Sequence, residues 1–118
     1  MSNKVLGDRG ESCAARYLGA QGYRILAQKY RTKVGEIDLI AKDRDTLVFV
    51  EVKTRRNVRC GFPAEAVNYR KQRKIIQTAM WYLREKQMDQ TPCRFDIVEV
   101  YVAGNEWRIH HLKGAFEV

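Results

Sequence analysis

The spacing of apolar residues along the chain predicts seven elements. Over residues 7–20, Ala14, Ala15 and Leu18 recur at intervals of three and four, the mark of an amphipathic helix, and Gly22 ends it. Residues 23–27 read as a short strand. The stretches 36–41 (E-I-D-L-I-A) and 46–53 (T-L-V-F-V-E-V-K) alternate and are rich in β-branched residues. With the polar turn 42–45 between them, they predict an antiparallel hairpin. A basic loop over 55–63 contains Gly61 and Pro63. A long helix is then expected over 64–87, with Tyr69, Ile76, Ala79, Met80 and Leu83 on its apolar stripe. Residues 94–102 and 106–112 form a second strand pair joined around Gly104-Asn105. The order α-β-β-β-α-β-β predicts an α/β fold with a central mixed β-sheet flanked by helices, in one domain over residues 1–118.

Charge adds a partner to this picture. The net charge is +8, and the segment 53–74 carries +7 of it: Lys53, Arg55, Arg56, Arg59, Arg70, Lys71, Arg73 and Lys74 against Glu65 alone. Charge so concentrated points to a polyanion, with phosphates as the natural ligand; a solvated helix face and loop is the plainer alternative. There is no apolar run of about 18 residues to span a membrane. The polar stretch 1–10 lacks the apolar core of a secretory signal, so the cytoplasm is the expected location. Cys13, Cys60 and Cys93 are scattered, which fits reduced thiols better than disulfides or zinc. His110 and His111 are adjacent, so on a strand they face opposite sides and cannot share a metal.

The chemistry concentrates in the hairpin. On the strand 46–53, Val48, Val50 and Val52 face one side, to be buried against a helix, while Phe49, Glu51 and Lys53 face the other. Glu51 and Lys53 alone could be a charge pair in solvent. Asp38 changes that balance, because a carboxylate among Ile37, Leu39 and Ile40 is costly to bury without compensation. If the hairpin pairs, Asp38 and Glu51 approach at one end of the sheet. A divalent cation, Mg²⁺ or Mn²⁺, would relieve their repulsion and take both as hard oxygen ligands. The Lys53 ammonium could then stabilise developing negative charge or orient an attacking water.

Asp38 followed after twelve residues by E-V-K at 51–53 resembles the PD-(D/E)xK signature of restriction-endonuclease-like nucleases, with Ile37 in the proline's place. More broadly, G-x-x-G-E at 7–11, G-E-I-D-L-I at 35–40, F-V-E-V-K-T-R at 49–55, K-Q at 71–72 and R-F-D at 94–96 resemble the YraN-like family over nearly the whole chain, ending with Ala115-Phe116. That family is similar to archaeal Holliday-junction resolvases. The resemblance implies a restriction-endonuclease-like core, Asp38 and Glu51 as metal ligands, Lys53 as the catalytic lysine and Glu11 as a further acidic ligand. Glu11 shares the helical stripe of Ala14, Ala15 and Leu18; an acidic cap formed with Asp8 fits it equally well. Gln72, three residues after Tyr69 and four before Ile76, either joins the site, as Gln or Lys often does in related nucleases, or hydrogen-bonds in the core.

The expected activity is metal-dependent hydrolysis of phosphodiesters in DNA, branched or otherwise structured. Arg55, Arg56, Arg70, Lys71, Arg73 and Lys74 would hold phosphates without reading sequence. Symmetric cutting of two strands would call for a homodimer, although no dimer surface can be read. A nucleic-acid-binding module without chemistry is the main rival, and RNA in place of DNA or an acidic protein partner are others. For Asp96 a salt bridge with Arg94 or another basic residue is preferred to a site role. Trp81 and Trp107 fit packing better than base stacking.

Overall fold

The computed structural model of the chain describes residues 2–56 and 67–118. The elements are α1 (Asn3–Ala20), β1 (Arg24–Arg31), β2 (Glu36–Asp43), β3 (Thr46–Arg55), α2 (Tyr69–Glu85), β4 (Cys93–Ala103) and β5 (Glu106–Phe116), in the predicted order. The strands form one sheet in the order β1-β2-β3-β4-β5, antiparallel except for the parallel pair β3–β4. A parallel pair needs a crossover, and α2 lies in it.

The helices cover opposite faces. Ala14 and Leu18 of α1 pack on Leu39, Ala41, Val48, Val50, Val52, Val98 and Val100. Ile75, Ile76, Ala79 and Tyr82 of α2 pack on Ile37, Ile40, Leu47, Phe49, Phe95 and Ile97. The central strand β3 is thus buried on both sides, which explains its nearly continuous apolar run. Its alternation continues past the apolar part, so Glu51 and Lys53 follow Phe49 onto the α2 face.

Several boundaries and one stripe differ from expectation. The hairpin turn shrinks to Arg44-Asp45, with Arg44 in the left-handed region at φ 58°. Helix α2 begins at Tyr69, where the Asn68 side chain caps it by accepting the Lys71 N–H at 2.9 Å. The earlier start expected at residue 64 falls outside the described residues, as do Arg59, Cys60, Gly61, Pro63 and Glu65. Tyr69 and Met80, expected in the apolar stripe, are 74% and 56% exposed. Ile76 and Ala79 are buried as expected, and the arc takes in Ile75 and Tyr82 in place of Tyr69 and Met80, with Tyr82 meeting Tyr30 and Phe49 edge-on. The tyrosine's apolar ring outweighs its hydroxyl, and this rotates the helix away from the expected face.

On the α1 face, Asp96 is fully buried and fully engaged. Its carboxylate accepts from Arg94 Nε (2.9 Å) and Nη2 (3.0 Å) and from the Gly114 N–H (2.9 Å), and His111 Nε2 lies at 2.7 Å. Burial alone would raise its pKa, but His111 and Arg94 outweigh burial and hold it below the ordinary carboxylate value. Arg94 also reaches Asp43 (3.2 Å) and the Tyr23 hydroxyl (2.7 Å), so the cluster ties β2, β4 and β5 together. Asp96 therefore takes the salt-bridging role. His110 turns to the other face, with Nδ1 3.4 Å from Glu99. No helix among the described residues is long and apolar enough to cross a membrane.

Candidate functional site

The β2–β3 ladder runs from the Asp43–Thr46 pair to the Leu39–Val50 pair and stops there. One residue further, the Asp38 side chain replaces a backbone partner: its Oδ2 accepts the Val52 N–H at 2.7 Å. The strands therefore fork at Asp38 and Glu51, and the carboxylates lie in the fork. Neither is well solvated. Glu51 is 5% exposed, and Asp38 is flanked by the fully buried Ile37 and Leu39. Burial and then the charge of Glu51 push the Asp38 carboxyl up to about 7, against the opposing pull of the Val52 N–H and Lys71.

Two ammonium groups meet these carboxylates. Lys53 Nζ is 3.9 Å from Glu51 Oε1, and Lys71 Nζ is 3.1 Å from the same oxygen. Burial and the neighbouring Lys71 charge lower the Lys53 pKa, with Glu51 opposing. For Lys71, burial works against the charge, but Glu51 outweighs it and the pKa rises. Lysine positions are thus tuned in opposite directions around one carboxylate.

Glu11 reaches the same place from α1. The adjoining Gly10 is buried, and a Cβ there would run into the Thr54 side chain. Glycine lets the helix lie directly on the end of β3, and this sets Glu11 over the fork. Glu11, Asp38 and Glu51 line a hollow of about 260 Å³ together with Gly7, Val52 and Thr54. Burial raises the Glu11 pKa more than Lys29 lowers it. Lys29 Nζ stands 3.0 Å from Glu11 Oε1, yet that buried oxygen has no hydrogen bond of acceptable geometry. The ion pair and the missing hydrogen bond are compatible, because proximity satisfies charge without satisfying a lone pair.

Glu11, Asp38 and Glu51 line one hollow, and their carboxylate oxygens are the ligand type that a hard cation takes. As the side chains stand, no three His, Cys, Asp or Glu residues among those described converge on one metal position. The Lys71 ammonium is the cation on Glu51 instead.

The remaining expected residues are spread along this face. Gln72 donates from Nε2 to the Val67 carbonyl at 3.0 Å, holding the segment that enters α2. Arg55 Nε lies 3.4 Å from the fully buried Glu99, and Arg56 donates to Asn3 at 2.9 Å. Arg70, Lys71 and Lys74 line a second hollow of about 400 Å³ with Gly35, Glu36 and Asn68, and Arg73 is exposed beside them. Gly35 permits this approach, since a Cβ there would lie 3.1 Å from Thr78 Oγ1. Sequence reasoning placed Lys71 among the phosphate contacts and missed its reach to Glu51. The signal was available: the first turn of a crossover helix lies near the end of the strand it follows, where Glu51 and Lys53 sit. Glu99 and Lys29 were also missed, with no motif to mark them.

Known proteins resemble this chain along almost its whole length. The model of uncharacterised protein family UPF0102 matches residues 10–100. A UPF0102 protein of Clostridioides difficile (strain 630) is 47% identical over 116 residues, covering 98% of this chain and all of the relative. One from Lachnoclostridium phytofermentans is 48% identical over 118 residues, covering 99% and 97% of the two chains. One from Symbiobacterium thermophilum is 54% identical over 100 residues, covering 85% and 84%. The matched region contains Glu11, Asp38, Glu51, Lys53 and Lys71, the residues that meet at the fork. The chain belongs to uncharacterised protein family UPF0102, the YraN-like family.

Proposed function

We propose that the protein is a metal-dependent phosphodiesterase acting on DNA, built on a restriction-endonuclease-like core. The observation that carries this reading is the fork itself. Asp38 and Glu51 line one poorly solvated hollow, Lys53 stands 3.9 Å from Glu51, and Arg70, Lys71 and Lys74 lie at the adjoining start of α2. Crowded, partly desolvated carboxylates are unstable together unless a cation joins them. A bound Mg²⁺ or Mn²⁺ would neutralise charge at the scissile phosphate and lower the pKa of water. Asp38, Glu51 and Glu11 are the residues to hold it.

The chain's own groups supply the rest. Lys53, with its lowered pKa, gives up a proton more readily than an exposed lysine. It suits contact with a phosphate oxygen or an attacking water. Lys71 pairs with Glu51 and carries a charge that a phosphate oxygen would also take. Arg70, Arg73 and Lys74 extend the positive surface along α2 and hold backbone phosphates without reading bases. Branched or structured DNA is the substrate class in keeping with the family resemblance.

The test is cleavage of linear, single-stranded and four-way-junction DNA by purified protein with Mg²⁺ or Mn²⁺. Activity on at least one substrate should fall by about 10²–10³-fold in Lys53→Ala, the scale seen when one transition-state charge partner is removed. Salt-sensitive binding should persist. One observation favours the rival binding module: Lys71 at 3.1 Å already neutralises Glu51. Retained binding with no cleavage of any substrate would decide for that module.

A further inference from the structure

A third hollow lies on the other flank of α1, away from the carboxylates. It measures about 630 Å³ and is lined by Arg9, Ser12, Cys13, Arg16 and Tyr17 of α1 and by Trp107 of β5. We propose that this groove binds an unpaired stretch of nucleic-acid strand, its bases against Trp107 and Tyr17 and its phosphates on Arg9 and Arg16. The inference rests on the proposed function only in the choice of a nucleic-acid ligand, and it stands whether or not the fork cuts.

Arg9 and Arg16 are exposed, seven residues apart on one side of the helix, about 10 Å along its axis by helical rise. Neither has an ion-pair or hydrogen-bond partner among the described residues. The nearest acid in sequence to Trp107, Glu106, is engaged by Arg108 at 3.1 Å. The groove therefore presents uncompensated positive charge in a chain already at +8.

Its aromatic walls are held by packing and hydrogen bonds. Trp107 is partly buried against the apolar layer under α1. The Tyr17 hydroxyl lies 3.2 Å from His111 Nδ1, and His111 Nε2 lies 2.7 Å from the fully buried Asp96. The Tyr17 and His111 rings also meet edge-on at 5.5 Å. A wall already fixed loses little freedom on binding. Fixed aromatic faces flanked by guanidinium groups are the elements that hold single strands, since every unpaired base offers a π-face for stacking. A duplex keeps those faces covered, so the groove favours unpaired strand.

Trp81→Phe leaves Trp107 as the sole indole, because the chain has two tryptophans. In that background, titration with a twelve-nucleotide single strand should quench Trp107 emission saturably. A duplex of equal length, or the free mononucleotide, should bind about tenfold or more weakly, on the scale of stacking gained per base. Arg9→Ala with Arg16→Ala should weaken the single strand about tenfold. The same pair should reduce the salt slope of log K by about 1.4, as expected for two phosphate contacts. Both arginines are exposed, so the variants should retain the fold. Absence of quenching, equal quenching by duplex or mononucleotide, or indifference to the arginine substitutions would overturn the proposal. Quenching produced by raising protein concentration without DNA would assign the groove to a second copy of the chain and overturn it equally.

Discussion

Asp38 serves the fork at a cost in stability. Its carboxyl is pushed from an ordinary 3.8 to about 7 by burial and by Glu51. Between those values the folded chain holds a proton that the unfolded chain has lost, so stability falls as pH rises through this window. The contribution is intact below the lower value and fully lost above the upper one. The loss is on the order of a few kcal/mol. Asp38→Asn keeps an oxygen for the Val52 N–H and removes the charge. It should raise the melting temperature at pH 8 by several degrees, on the scale of about 1–3 kcal/mol, and change it little at pH 4. Thermal unfolding at the two pH values checks this, and an equal effect at both would contradict it. The same substitution should abolish cleavage, so the variant gains stability and loses function together. Lys71→Ala distinguishes the lysines: it should leave Glu51 less compensated and weaken DNA binding, whereas Lys53→Ala spares binding. Filter binding of both variants to one duplex measures that difference.

At the scale of elements, the fork depends on how closely α1 lies on β3. Gly10→Ala places a methyl group against Thr54 and should cost about 1–3 kcal/mol, the usual range for overpacking. Cleavage should fall with it as Glu11 retreats, and denaturant unfolding together with activity tests both. Asp96→Ala, on the same face but in the structural network, should cost about 3–5 kcal/mol, because Arg94 keeps only Asp43 as a charge partner among the described residues and His111 and the Gly114 N–H lose their acceptor. The hairpin was legible because β2 and β3 alternate and a polar turn divides them. Asp38, Glu51 and Lys53 were legible because charges in apolar strands stand out. The end of the β2–β3 ladder was not legible, since it depends on a side chain taking a backbone N–H. The α2 stripe was misread because Tyr82 and Tyr69 look alike in sequence, while only Tyr82 meets Tyr30 and Phe49. Lys71 and Glu99 act through contacts across elements, which spacing within one element does not reveal.

For the whole molecule, the sheet divides labour between its faces. The α2 face carries the basic surface of α2, the α1 face holds the buried Asp96 network and the groove beside Trp107, and the fork at the strand ends takes Glu11 from α1 and Lys71 from α2. A net charge of +8 draws a polyanion to either face, and phosphate contacts make that attraction sensitive to salt. Reversing Arg70, Arg73 and Lys74 to glutamate should weaken duplex binding and flatten its salt dependence by about 2–3 in log–log slope. The central claim concerns a cation at the fork, and calorimetric titration with Mn²⁺ addresses it without any substrate. The account predicts saturable binding at pH 8 that is lost in Asp38→Asn and in Glu51→Gln. Binding that survives both substitutions, or no binding to the unaltered chain, would contradict it.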